Sequence, residues 1–258
     1  METTDLNIAT ELHDIAGIRT ILESRKVDQN PAGKPLIWTL IGEYTRSPRF
    51  KDCIRVFLEN GQGLEDPILE AVLLDDADLL RRLILENPES VHTKHSLPCA
   101  YTPFFEVSLL HICAEFNHVA CAEVLIHAGL DINAKAGVDE FGFGGQTPIF
   151  HTVNQNTNQS REMLEFCLDH GADLDLTVRG LIWGKEYPWE TLIPAVNPIS
   201  YAMMGLLPQM HRKEAVIAEV VSKLLKHRFG IDYISPNIPN EYLKGLKRTE
   251  WSAIWKVW

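Results

Sequence analysis

The chain has 258 residues, is 45% apolar and 23% charged, and carries a formal net charge of -11. That balance excludes wholesale disorder, and its sign argues against generic binding to a phosphate backbone, which needs a basic footprint. The acidity favours solubility or a basic protein partner.

Five cysteines, Cys53, Cys99, Cys113, Cys121 and Cys167, are odd in number and form no CxxC pair, unlike a secreted disulfide framework. The opening "METTDLNIATELHD" lacks a basic region followed by an apolar stretch, and no apolar run approaches the roughly 18 residues of a membrane span. A cytoplasmic protein without a membrane partner is expected.

In chain order, "DLNIATELHDIAGIRTILES" fits a degenerate starting copy of the plan that recurs below. "KPLIWTLIGEY…RFKDCIRVFLENG" (Lys34 to Gly61) and "DPILEAVLLDDADLLRRLILENP" (Asp66 to Pro88) each give a proline, an apolar helix, a break and a second apolar helix. The clearest segment is "SLLHICAEFNHVACAEVLIHAGLDINA", Ser108 to Ala134. It predicts a helix from Leu109 to Glu115, a turn at Asn117–His118, and a helix from Ala120 to His127 that stops at Gly129. "TPIFHTVNQNTNQSREMLEFCLDHGADLDL" repeats the plan from Thr147, and "NPISYAMMGLLPQMHRKEAVIAEVVSKLLKH" repeats it from Asn197. The starts Lys34, Asp66, Ser108, Thr147 and Asn197 lie 32, 42, 39 and 50 residues apart. The tail "NEYLKGLKRTEWSAIWKVW", Asn240 to Trp258, predicts a final helix with an apolar side that includes Trp251, Trp255 and Trp258.

The segment from Ser108 resembles the ankyrin repeat: His111, Ala114, His118, Gly129, Asp131, Asn133 and Ala134 fall in register with its pattern. Thr147, Pro148, Gly171, Ala172 and Asp173 do so in the next copy. The resemblance implies an all-α ankyrin solenoid over residues 1–258, of about six helix-turn-helix repeats. Residues 1–107 hold degenerate repeats and 108–232 the clearest ones, while 233–258 form a C-terminal cap. The family period is about 33, so the excess length should emerge as surface loops, because stacked repeats touch only their neighbours. Long β-hairpin fingers are expected at 134–146 and 176–196, the second with its tip near Gly184–Pro188.

The resemblance also places a protein-binding surface on the fingers and the exposed side of each first helix. It comprises Glu115 and Phe116, Asn154 and Gln155, then Asp139, Glu140, Phe141 and Phe143, and finally Arg179, Trp183, Tyr187, Trp189 and Glu190. Aromatic and arginine anchors dominate interface energies, at about 2 kcal/mol or more each. The bland alternative is that the two fingers pack on each other with the tryptophans buried.

Chemistry is sparse. His111, Glu115 and His118 have helical spacing, but the resemblance puts both histidines in structural positions and His118 in a turn, so no metal site is expected. Cys113 stands two residues from His111, a spacing that places them on different helix faces. "GFGGQ", Gly142 to Gln146, is neither a dinucleotide nor a P-loop signature. No catalytic residue, cofactor or nucleic-acid partner is expected, although Arg212, Lys213, Lys223, Lys226 and Arg228 make the sixth repeat locally basic. The expected function is a monomeric, non-catalytic adaptor, inhibitor or scaffold that binds a protein, one version being an acidic protein that neutralises a basic partner in the manner of toxin immunity proteins. The alternative is an enzyme with a pocket between the fingers and the inner helices, using Asp139, Glu140, Glu190 or His151.

Overall fold

The structure is a computed structural model and describes residues 2–24, 34–155, 158–185, 187–204 and 214–232. The tail helix expected over 233–258, with Trp251, Trp255 and Trp258, lies outside these residues, as do Arg212 and Lys213. The helices are α1 (Glu2–Glu11), α2 (Ile15–Ser24), α3 (Ile37–Gly42), α4 (Phe50–Glu59), α5 (Pro67–Leu73) and α6 (Ala77–Glu86), then α7 (Leu109–Phe116), α8 (Val119–His127), α9 (Phe150–Val153), α10 (Arg161–Asp169), α11 (Pro198–Met203) and α12 (Glu214–Phe229).

Local chemistry explains where several helices begin. Asp66 caps α5 through the Leu69 N–H, Asp76 caps α6 through the Leu79 N–H, and Asn197 caps α11 through the Ser200 N–H. Pro67 and Pro198 follow two of these caps, in the first turn, where a missing donor costs nothing. At α7 the Ser108 N–H donates to His111 Nδ1 at 3.2 Å, which leaves Nε2–H to donate to the Gln146 carbonyl at 3.0 Å. Asn117 ends α7 in the left-handed conformation, with φ 61° and ψ 42°. The predicted α7 and α8 are therefore present, each longer by one residue at one end.

The helices pile up in order: α5 packs on α7, α6 on α8, α7 on α9 and α9 on α11, while α1 packs on α3 and α2 on α4. A single apolar cluster runs from Leu6 to Leu224. The pair α3/α4 also reaches past α5/α6 to α7. Phe50 stacks on Phe116 with ring centroids 3.9 Å apart, and Arg46 pairs with Glu115 at 2.8 Å.

Two antiparallel hairpins leave this helical body. Strands β1 (His95–Leu97) and β2 (Phe104–Val107) bracket the loop 98–103. Strands β3 (Val178–Trp183) and β4 (Thr191–Val196) pair with Trp183 opposite Thr191, so the turn falls where the sequence places it. The shorter finger over 134–146 folds back through the bridge Val138–Gly144 and lies against β3. There the Gly144 N–H donates to the Gly180 carbonyl at 2.9 Å, and a Cβ on Gly144 would sit 2.3 Å from the Gly137 carbonyl oxygen. The two long fingers thus do pack on each other.

Extra chain does not stay at the surface. The α6–α7 connection buries Ala100, Thr102 and Phe104, and it bridges distant elements. Pro98 abuts Gly42 at the end of α3, and the Ala100 carbonyl accepts the Gly184 N–H at 3.0 Å. Trp183, expected on a projecting surface, is buried beneath this loop. Its Nε1–H donates to the Tyr201 hydroxyl at 2.7 Å, and that hydroxyl bonds Thr102 Oγ1 at 2.8 Å. Removing the shared hydroxyl with Tyr201→Phe takes a partner from the buried Trp183 Nε1–H, from Thr102 Oγ1 and from Asn154. It should cost about 1–3 kcal/mol in urea unfolding. A smaller loss than about 0.5 kcal/mol would show that water reaches the site.

Candidate functional site

The thirteen residues singled out for binding divide by exposure. Glu115, Phe116, Gln155 and Trp183 are buried and unavailable to a partner. Asn154, Phe143 and Asp139 are half-buried. Asp139 Oδ1 accepts the N–H groups of Phe141 and Phe143, both at 2.9 Å, so this carboxylate shapes its own turn. Glu140, Phe141, Arg179, Tyr187, Trp189 and Glu190 are exposed. Phe141 and Arg179 belong to the patch where the two fingers meet, with the Arg179 guanidinium beside Gly142. Tyr187, Trp189 and Glu190 belong to the turn of the longer hairpin.

That turn continues into a strip of four aromatic rings. Tyr187 stacks on Trp189 with centroids 5.2 Å apart, Trp189 meets Tyr101 at 5.9 Å, and Tyr101 meets Tyr44 at 6.4 Å. Tyr44, Tyr187 and Trp189 are between 41% and 48% exposed, enough to offer a ring face to another molecule. Each ring is held. Trp189 lies directly on Gly184, whose φ of +57° and bare backbone admit the indole: a Cβ there would be 2.3 Å from the ring. Tyr101 is wedged edge-on against Trp183, at 5.4 Å and 75°. The Tyr44 hydroxyl donates to Glu11 Oε1 at 2.8 Å, which with burial raises its pKa. Aromatic rings fixed in this way lose little conformational entropy on binding.

Sequence reasoning missed Tyr44 and Tyr101. The available signal was the 42-residue spacing between Asp66 and Ser108, which marks the connection carrying Tyr101 as an insertion.

Beneath the strip lies a buried polar trio. Glu115 accepts from Arg46 Nε and from His151 Nδ1, both at 2.8 Å, and all three side chains are at most 9% exposed. Burial pushes the Glu115 carboxyl up, but Arg46 and His151 outweigh it and the pKa falls below the usual value. His151 is stacked on Phe104 at 4.9 Å. The cavity beside it is lined by Tyr44, Arg46, Tyr101, Thr102, Glu115, His151, Asn154 and Gln155, and its volume of ≈ 30 Å³ is that of a single water. Asp139, Glu140 and Glu190 do not line it, so the residues of the enzymatic alternative do not converge there. A larger cleft of ≈ 470 Å³ opens between the inter-helix turns, from Arg46–Lys51 across Asn117–Ala120 to Asn158–Glu162.

The histidines once weighed as metal ligands point elsewhere. His118 Nδ1–H donates to the Val72 carbonyl at 2.7 Å, and His111 holds the start of α7. Cys113 is buried, and burial pushes its thiol pKa up. All five cysteines are free. Among the described residues no helix is long and apolar enough to cross a membrane.

Helix α7, ended by left-handed Asn117, and helix α8, followed by Gly129 at φ +92°, form one helix-turn-helix unit. The ankyrin-repeat family model matches residues 107–136, the segment of α7 and α8. No curated protein matches it. Among solved structures it is similar to the ankyrin-repeat domain of human ASB11, at 21% identity over 66% of this chain and 70% of that one, with a TM-score of 0.30. It is also similar to a chain in the complex of the predatory endopeptidase Bd0816 from Bdellovibrio bacteriovorus with the immunity protein Bd3460. That match has 18% identity over 85% and 97%, with a TM-score of 0.35. The ankyrin-repeat domain of Bcl-3, a member of the IkappaB protein family, matches at 14% identity over 84% and 71%, with a TM-score of 0.36. Ankyrin repeats generally mediate protein–protein interaction.

Proposed function

We propose that the protein is a non-catalytic, monomeric binding module, acting as an adaptor, inhibitor or scaffold, and that the strip Tyr44–Tyr101–Trp189–Tyr187 is its docking surface. The observation that carries this reading is the continuity of four held, partly exposed rings contributed by three separate parts of the chain. Tyrosine and tryptophan are the residue types that dominate interface energies. The net charge of -11 supports a basic partner, and five free thiols support a reducing compartment such as the cytoplasm.

The test is affinity capture from the source cell with the full chain and with Tyr187→Ala plus Trp189→Ala, whose foldedness is checked by circular dichroism. Two lost anchors at about 2 kcal/mol each should reduce recovery of specific partners at least tenfold. Equal recovery of every partner by the folded double variant would sink the reading.

A further inference from the structure

The strip is not electrically symmetrical. At the Tyr44 end stand two carboxylates, Glu11, which accepts the Tyr44 hydroxyl, and Glu43, the residue before Tyr44. They feel each other: burial first, then the charge of Glu11, raises the Glu43 pKa. The charge of Arg46 acts the other way on Glu43, but its guanidinium is turned inward to Glu115 and to the carbonyls of Glu43 and Thr45. At the other end the hairpin turn that holds Tyr187 and Trp189 carries one exposed charge of each sign, Lys185 and Glu190. The rings between, 5.2 to 6.4 Å apart, span about the length of five extended residues at ~3.3 Å each. Strand addition along β4 is a weaker alternative, because Pro194 removes a backbone donor from that edge.

We propose that this strip recognises an arginine-bearing extended segment of the partner, with one guanidinium on the Glu11–Glu43 pair and further ones stacked on Tyr101 and Trp189. The inference rests on the strip being the docking surface. Arginine fits better than lysine because its planar group pairs with carboxylates in a fork and stacks on aromatic faces, whereas ammonium is compact and strongly hydrated. The chain already uses such a contact internally, with the Arg46 guanidinium 4.8 Å from the Phe116 ring centroid. The carboxylate pair fixes the direction of the bound segment, because at the opposite end Lys185 and Glu190 offset one another.

The probes are a hexapeptide of alternating Arg and Gly and its Lys and Glu counterparts, titrated into the full chain at low salt by calorimetry. The Arg peptide should bind at least fivefold tighter than the Lys peptide, and the Glu peptide should not saturate. Glu11→Gln with Glu43→Gln keeps an acceptor for Tyr44 yet should weaken the Arg peptide at least tenfold and flatten its salt dependence. Trp189→Ala should weaken it comparably, and Phe141→Ala, on the other exposed patch, should leave it unchanged. Equal affinity for Arg and Lys, no binding at millimolar peptide, or full affinity in the Glu11→Gln, Glu43→Gln protein would each overturn the proposal. If the peptides fail while Tyr187→Ala plus Trp189→Ala still loses its captured partners, the arginine chemistry is wrong and the docking surface stands. If both fail, the docking surface falls with it.

Discussion

Acidification from near pH 7 to about pH 4.5 is expected to unfold the protein, well above the range in which carboxylates alone would do so. Three histidines drive the effect. Burial lowers His111 to about 3 and His118 to about 4, and burial with the nearby Arg46 and Arg49 lowers His13 to about 4. Each is neutral in the folded chain, and two of them donate ring N–H groups to the carbonyls of Gln146 and Val72. In the unfolded chain all three titrate near 6.5, so below that value the unfolded state binds more protons and stability falls with pH. The loss begins near 6.5 and continues down to the folded values, near 4 for His13 and His118 and near 3 for His111. At about 1.4 kcal/mol per pH unit per group, three groups over two units lose on the order of 8 kcal/mol, comparable with the whole ~5–15 kcal/mol of a folded domain. Glu115, whose pKa is depressed, adds to the loss at lower pH, and Glu43, whose pKa is raised, opposes it. Urea midpoints at stepped pH, followed by circular dichroism, measure the slope. His13→Gln should reduce that slope by about one third. A midpoint that stays level between about pH 7 and pH 5 would show that these histidines are solvated or already charged when folded.

What the sequence carried was local order. The pair α7/α8 is legible because its signals are adjacent: the Ser108–His111 contact, left-handed Asn117 and Gly129 beyond the second helix. The hairpin β3/β4 is legible for the same reason, with strand-forming residues on both sides of "GKEYP". Trp183 was misplaced because a strand's alternation does not tell which face meets a hydroxyl from Tyr201 and a loop arriving from residue 101. Tyr44 and Tyr101 were invisible as site residues for a related reason. Length analysis locates an insertion before Ser108, but its inward course depends on Pro98 meeting Gly42 and Ala100 meeting Gly184. The trio Arg46, Glu115 and His151 joins residues 69 and 36 positions apart, and no periodic pattern encodes such a pairing. A repeat grammar specifies neighbours, whereas this site is made by chain segments that skip a neighbour.

That skip can be tested directly, because Glu115 should be the residue whose loss frees α1–α4 from the stack. Glu115→Ala leaves the Arg46 guanidinium, whose side chain is 7% exposed, with only the Glu43 and Thr45 carbonyls and Cys99 Sγ as partners. It also leaves the His151 Nδ1–H without its acceptor. Breaking one side of a buried ion pair costs about 3–5 kcal/mol, whereas replacing both sides with apolar groups of similar volume is often neutral or better. Glu115→Ala should therefore lower stability by about 3–5 kcal/mol, and Arg46→Met with Glu115→Leu should recover at least half of it. Hydrogen exchange distinguishes a local effect from a global one. If the trio anchors the N-terminal helices, amides of α2 and α4 should lose protection in Glu115→Ala before those of α8 and α10, because only the contacts of Phe50 and Arg46 with Phe116, His118 and Cys99 then tie the two parts at this point. Uniform loss of protection across all four helices would mean that the stack responds as one unit and that the contact between α3/α4 and α7 has no separate role.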